Sequence, residues 1–131
     1  MTIQTKMTND KMTKRGFDLE ERTLKFAKGC VDLCQSLPKN MTNSEFTNQL
    51  IRSSSSVGAN YREANDSITR KEFYHRIGIS RKESKESKYW LELVEHSNVE
   101  FKGPIDVLIE ESFQLTKIFS AISLTGHNDK G

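Results

Sequence analysis

Apolar residues recur every three to four positions along four segments of the chain, which is the spacing that places them on one face of an α-helix. The predicted helices cover about residues 18–37, 43–66, 69–97 and 104–124. No segment alternates apolar and polar residues in the way that a half-buried strand does. The pattern therefore predicts an all-α domain over residues 17–125.

The first predicted helix carries two neighbouring apolar stripes, which is more than a helix with one packed side requires. One stripe consists of Leu24, Ala27, Val31 and Cys34, and the other consists of Phe26, Cys30, Leu33 and Leu37. Apolar surface that remains exposed after folding commonly marks an interface between proteins. We therefore expect the additional stripe to contact a second copy of the chain.

The second and third predicted helices begin with the same compound signal. A Thr-x-x-Glu capping box occurs at Thr42 with Glu45 and again at Thr69 with Glu72. The apolar pairs placed to form a hydrophobic staple around these caps are Met41 with Phe46 and Ile68 with Phe73. The two matches predict where both helices begin.

Small residues occupy the middle of the second predicted helix, from Ser53 to Ala59. The third predicted helix carries serines at inward positions, which are Ser80, Ser84 and Ser87. Small side chains allow two backbones to approach closely, so we expect these patches to pack together, with Gly58 between the second and third helices. Short connections favour antiparallel neighbours, and the predicted architecture is an up-down-up-down four-helix bundle.

Charge is unevenly distributed along the chain, whose net charge is +2. Residues 1–16 carry a net charge of +3, and the remaining residues carry −1. We predict that residues 1–16 form a disordered basic leader, since they lack the apolar run of a signal peptide. Gly126 predicts the end of the fourth helix, followed by a disordered tail at residues 126–131.

Composition excludes several classes of protein. Hydrophobic residues make up 34% of the chain, and no stretch approaches the roughly 18 consecutive apolar residues of a membrane-spanning helix. We therefore predict no membrane association. Cys30 and Cys34 are the only cysteines, too few for a disulfide scaffold, and this usage indicates a reducing cytoplasm.

The sequence offers little chemistry for catalysis or metal binding. Cys30 and Cys34 lie one helical turn apart, but nearby residues supply no further ligands, and a buried helix face explains both thiols. The sequence contains no phosphate-binding loop, nucleophile elbow or zinc-binding helix motif. We predict no catalytic residue, no metal and no cofactor, and the chain is not expected to be an enzyme.

Two interpretations compete for Glu83 and Glu86. Both alternate with lysines at helical spacing, which is typical of a solvated, salt-bridged face. Alternatively, one of them pairs with Arg52 or Arg62 of the second helix.

The third predicted helix also carries the candidate nucleic-acid contacts, which are Arg70, Lys71, Arg76, Arg81, Lys82, Lys85 and Lys88. Basic side chains bind nucleic acid by neutralising phosphates. Five glutamates on the same helix reduce its net charge to +2, so an ordinary solvated surface is the alternative.

The sequence resembles the four-helix-bundle family of 23S ribosomal RNA intervening-sequence proteins. The most specific part of the resemblance is Arg52–Ala64, and the segments 71–73, 82–86 and 89–93 also match. The resemblance implies small bacterial helical bundles that assemble into ring-like homopentamers. Some members are encoded inside 23S rRNA genes. A related branch comprises the accessory proteins of diversity-generating retroelements, in which a basic pentamer engages a reverse transcriptase and nucleic acid.

The resemblance implies no enzymatic activity and transfers no catalytic residue. We expect its motif residues to act in helix packing or in an interface between subunits; they are Arg52, Gly58, Ala59, Asn60, Glu63, Glu83, Glu86 and Trp90. The predicted function is a non-enzymatic homo-oligomeric scaffold, a pentamer whose partner is itself. The alternative is an RNA-binding module that acts with rRNA, a ribonucleoprotein or a reverse transcriptase.

Overall fold

Four α-helices account for most of the described chain. A computed structural model describes the backbone of residues 18–130 and the side chains of residues 18–126; the predicted leader at residues 1–16 lies outside this range. The helices are α1 (Leu19–Ser36), α2 (Met41–Asn65), α3 (Arg70–Ser97) and α4 (Lys102–Lys130), and a short 3-10 turn at Val99–Phe101 precedes α4. The described residues contain no strand, which confirms the all-α prediction.

The helices enclose one hydrophobic core to which all four contribute. Among its fully buried side chains are Leu19 from α1, Tyr61 from α2, Ile77 from α3 and Phe119 from α4. The rings of Tyr61 and Phe119 lie 5.8 Å apart between centroids and are tilted by 55°, a favourable aromatic arrangement. Burial of such side chains is the main stabilising contribution to a bundle of this kind.

Contacts between α2 and α3 join residues whose numbers rise along one helix and fall along the other. The pairs that define this order are Asn43 with Asn98, Ser53 with Ser87, and Asn60 with Arg76. The serine-rich seam predicted between these helices is present: Ser80 Oγ donates a hydrogen bond to the Val57 carbonyl over 2.8 Å. Small hydroxylated residues thus pack and hydrogen-bond across the α2–α3 contact.

The predicted position of Gly58 between α2 and α3 is wrong, because this residue faces α1. A Cβ atom at Gly58 would lie 2.8 Å from Thr23 Oγ1 and 3.1 Å from Thr23 Cβ. The small residues of α2 therefore pack against two neighbouring helices, α1 and α3. Ser53 and Val57 contact α3, whereas Gly58 allows α1 to approach.

The starts of α2 and α3 correspond only partly to the predicted capping signals. Thr69 caps α3 as predicted, since its hydroxyl oxygen accepts a hydrogen bond from the Glu72 amide over 3.1 Å. In α2 the cap is Asn40 rather than Thr42: its side-chain oxygen accepts from the Asn43 amide over 2.8 Å. Asparagine caps helices better than threonine does, and α2 consequently begins two residues earlier.

The predicted staples do not form at either start. Their outer residues, Met41 and Ile68, are 86% and 94% exposed, whereas Phe73 is buried. These two apolar side chains extend into solvent rather than covering their helix starts.

The fourth helix does not end at Gly126 as predicted but continues to Lys130, through most of the predicted tail at 126–131. Gly126 is buried against the ring of Tyr74, where a Cβ atom would lie 2.5 Å from Tyr74 Cδ1. Glycine is needed at this position for close packing of α4 on α3, not for ending the helix.

Candidate interaction surfaces

A polar cluster joins α2 to α3 and contains four of the predicted motif residues. Arg52 Nη1 lies 3.8 Å from Glu83 Oε2, and Arg52 Nη2 forms an ion pair with Glu86 Oε2. Trp90 Nε1 donates a hydrogen bond to the same Glu86 oxygen over 3.2 Å. The pairing with Arg52 is therefore the observed one, while Arg62 lies 4.0 Å from Glu20 of α1.

Glu83 is the most buried carboxylate of this cluster, with 13% of its side chain exposed. Its Oε1 atom is buried and has no hydrogen-bond partner among the described residues. Burial raises the pKa of Glu83, and the neighbouring Glu86 raises it further, whereas Arg52 and Lys82 lower it. The cluster holds a carboxylate whose charge is incompletely compensated.

Among the other motif residues, Asn60 forms hydrogen bonds within the chain, whereas Ala59 and Glu63 lie on the surface. The carboxamide of Asn60 accepts a hydrogen bond from Arg76 Nη1 over 2.9 Å and donates one to the Ser56 carbonyl over 3.0 Å. Asn60 therefore fixes Arg76 and links α2 to α3. Ala59 and Glu63 are exposed in the single chain.

The candidate nucleic-acid contacts of α3 differ in their hydrogen bonds and in their exposure. Arg76 binds Asn60, Arg81 donates to Ser120 Oγ over 2.8 Å, and Lys88 Nζ lies 3.3 Å from Glu92. The exposed side chains among the candidates are Arg70, Lys71, Arg81, Lys82 and Lys85.

Three of the exposed lysines share one side of α3. Lys71, Lys82 and Lys85 are separated by eleven and three residues, which corresponds to one helix face. Tyr89 continues this face, is 57% exposed and packs edge-on against Trp90. Glu83 and Glu86 are bound on the α2 side, whereas the exposed Glu92, two helical turns after Lys85, lies on this outward face.

The two cysteines are free and buried in α1. Burial raises the pKa of Cys30 to about 12, although a hydrogen bond with Ser54 opposes the change. The part of the chain that the structure describes contains no group of three or more His, Cys, Asp or Glu residues arranged to hold a metal ion. Both thiols are thus core side chains of low reactivity.

A groove of about 950 Å³ lies between α1 and α4, and the sequence interpretation did not anticipate it. Apolar residues contribute to its lining from both helices: Phe26 and Gly29 from α1, and Val107 and Leu108 from α4. A Cβ atom at Gly29 would lie 2.9 Å from Leu108 Cδ2, so glycine leaves room for the end of the Leu108 side chain.

An ion pair connects the two helices along the groove. The Arg22 guanidinium donates from Nε to Glu111 Oε2 over 2.7 Å and from Nη2 to Oε1 over 2.9 Å. This two-point contact fixes the guanidinium and carboxylate planes relative to each other. Hydrogen bonding to Glu111 raises the pKa of Arg22. The contact holds α1 and α4 in a defined register.

None of the described helices combines the length and the apolar composition needed to cross a lipid bilayer.

Comparisons with known proteins agree with this all-helical architecture. The sequence model of a family described as "23S rRNA-intervening sequence protein" matches residues 16–121. No curated protein matches the chain. A crystal structure of a protein of unknown function from the S23 ribosomal protein family of Bacteroides thetaiotaomicron is similar, with 28% sequence identity and a TM-score of 0.71. The similarity covers 79% of this chain and 96% of that protein. The chain therefore belongs to the family of 23S rRNA-intervening sequence proteins.

Proposed function

We propose that this chain is a non-enzymatic scaffold subunit, an up-down-up-down antiparallel bundle that assembles with copies of itself into a ring of five. The observation that carries the proposal is the incompletely covered apolar side of α1. Leu24 is 41% exposed, and Ala27 and Val31 on the same side are only partly buried. Covering these side chains with a second copy removes apolar area from water.

A scaffold function is also supported by the use that the chain makes of its polar motif residues. Arg52 and Trp90 both bind the Glu86 carboxylate, and Asn60 binds Arg76. These contacts connect helices and position a subunit's surface. The free thiols of Cys30 and Cys34 support a cytoplasmic location for the assembly.

The mass of the purified full chain in solution tests the scaffold proposal. Light scattering is expected to give a multiple of the 15.0 kDa chain mass, with five copies as the expected number. Leu24→Ser is expected to weaken the assembly, because it removes apolar contact area. Met41→Ser is the matched control, since Met41 is 86% exposed and lies in the first turn of α2. A wild-type chain that remains monomeric would refute the proposal.

RNA binding through α3 is the second candidate function. It is favoured by the outward position of Lys71, Lys82 and Lys85 while Glu83 and Glu86 are bound to Arg52. Repetition of this basic face around a ring would place several such faces in one particle. The phosphate backbone is the ligand class that such a surface fits.

Titration of a fluorescently labelled RNA hairpin at several salt concentrations tests RNA binding. Binding through this face predicts a steep fall in affinity with salt. The double variant Lys82→Gln/Lys85→Gln should reduce the log–log slope by roughly one and a half, since each phosphate contact contributes about 0.7–0.9. Lys39→Gln/Lys117→Gln is the charge-matched control and should leave the slope unchanged. Absence of binding at low salt would exclude this function for the isolated protein.

A further inference from the structure

Tyr89 presents an aromatic ring on the outward face of α3. It is 57% exposed, and Phe113 of α4, at 45%, is the other exposed aromatic side chain among residues 18–126. The flat face of an aromatic ring is a surface on which another planar group can stack. The exposed area of Tyr89 is therefore available to a planar ligand.

The tyrosine ring is held in place by its neighbours. Trp90 packs edge-on against it, with ring centroids 5.3 Å apart and an interplanar angle of 74°. Trp90 is itself fixed, because its Nε1 atom donates a hydrogen bond to Glu86 Oε2 over 3.2 Å and its ring centroid lies 6.3 Å from that of Phe46. A ring that is already ordered loses little conformational entropy when a ligand stacks on it.

Two exposed lysines precede the ring on the same side of α3. Lys85 lies four residues before Tyr89 and Lys82 lies seven residues before it, which places them about 6 and about 10 Å away along the helix axis. Lysine side chains bind nucleic acid through its phosphates. The two lysines are thus positioned for the phosphates that flank a base on Tyr89.

The charge around the ring is only weakly basic. Residues 82–92 carry three lysines and three glutamates, and Arg52 of α2 adds one positive charge. Glu92 is exposed and forms an ion pair with Lys88 over 3.3 Å, whereas Glu86 is bound to Arg52. Attraction to phosphates alone is therefore weak here, and stacking on Tyr89 has to supply much of the affinity.

This combination distinguishes single-stranded from duplex RNA. In a duplex the bases stack on each other, so the duplex offers this surface its phosphates but no free base face. A single strand offers both phosphates and unpaired bases. We propose that Tyr89 stacks an unpaired RNA base while Lys85 and Lys82 bind the neighbouring phosphates. The proposal rests on the RNA binding proposed above and specifies single-stranded RNA as the ligand.

Titration of the full chain with a labelled single-stranded RNA, and with the duplex formed from the same strand, tests the proposal. The wild type is expected to bind the single strand more tightly. Tyr89→Ala should weaken single-strand binding by about 5- to 150-fold, which corresponds to the loss of one stacked base, and should leave duplex binding unchanged. Tyr89→Phe should retain the single-strand affinity, because phenylalanine keeps the ring.

A fluorescent adenine analogue within the single strand reports stacking directly. Saturating wild type and Tyr89→Phe should quench its emission, whereas saturating Tyr89→Ala should not. Phe113→Ala is the matched control, since it removes the other exposed ring, and it should leave affinity and quenching unchanged. Circular dichroism and light scattering check that each variant keeps the helicity and the mass of the wild type.

Several results would overturn the stacking proposal while leaving RNA binding intact. One is a wild type that binds the duplex at least as tightly as the single strand, and another is a Tyr89→Ala variant that binds the single strand as the wild type does. A loss of mass in Tyr89→Ala would also overturn it, since the ring would then be a contact between subunits. A wild type that binds neither RNA would instead refute RNA binding itself.

Discussion

The side-chain amides of Asn43 and Asn98 each donate a hydrogen bond to the other, over 3.0 and 2.9 Å, although 55 positions separate them in the sequence. Asn43 also donates to the Pro38 carbonyl, and Asn98 donates to the Val94 carbonyl. Both residues are buried. The pair ties the first turn of α2 to the residue that follows α3.

Removal of either amide should therefore destabilise the bundle. Asn43→Ala or Asn98→Ala leaves buried polar groups of the partner without hydrogen bonds, at an expected cost of about 1–3 kcal/mol in the free energy of unfolding. The double variant should lose less than the sum of the single losses, since both single substitutions break the same contact. Urea unfolding gives the free energy of unfolding of the wild type, the two single variants and the double variant. Strictly additive losses would show that the two amides act independently.

Two helical glycines should respond in opposite ways to substitution. Gly58→Ala is expected to destabilise, because the new Cβ meets Thr23 Oγ1, which is itself hydrogen-bonded to the Leu19 carbonyl. Gly58→Leu should cost about 1–3 kcal/mol through overpacking. Gly78→Ala is the control: no atom lies within 4 Å of its new Cβ, and alanine should stabilise the helix by up to about 1 kcal/mol.

The melting temperatures of these three variants and of the wild type, measured by thermal unfolding, test these expectations. A Gly58→Leu variant as stable as the wild type would contradict the close α1–α2 packing described above.

The charge of Glu83 should lower stability at neutral pH. Burial raises its pKa, so the folded chain binds a proton where the unfolded chain has lost it, and the stability contributed by this group falls as pH rises through that window. Glu83→Gln removes the buried charge and is expected to be more stable than the wild type at pH 7. The difference should shrink toward pH 4, where Glu83 becomes protonated.

Urea unfolding at both pH values tests this prediction. The exposed carboxylate of Glu63 supplies the control, and Glu63→Gln should change stability little at either pH. A Glu83→Gln variant that is less stable at pH 7 would mean that the ion pair with Arg52 outweighs burial.

The thiols of Cys30 and Cys34 should be inert in the folded protein. Burial raises both pKa values, that of Cys30 to about 12, so few thiolates exist at pH 8, and only 6% of Cys34 and none of Cys30 is exposed. A colorimetric disulfide reagent should therefore label neither residue in native buffer and both in urea. Rapid labelling of native protein would show that α1 opens frequently or packs less closely.

Local sequence signals predicted most of the helical architecture, because apolar spacing and capping residues act over a few positions. Thr69 caps α3 for this reason. The same reasoning selected Thr42 in α2, where Asn40 stands two residues earlier and is the stronger cap. Competition between two adjacent capping residues depends on backbone geometry that the residue types alone do not determine.

Contacts between helices that are distant in sequence determine the structural features that the sequence did not predict. Helical spacing identifies the face on which Gly58 lies, but not that this face meets Thr23 of α1. Glycine at 126 satisfied the pattern of a helix stop, yet the ring of Tyr74 fills the space beside it. The groove between α1 and α4 is a property of two helices distant in sequence, so it could be recognised only in the folded chain.

The mass of the full chain by light scattering, followed over a dilution series in reducing buffer, decides whether this bundle functions as an assembly of identical subunits. We expect a stable multiple of 15.0 kDa, with five subunits as the expected number. A mass of 15.0 kDa at every concentration would contradict it.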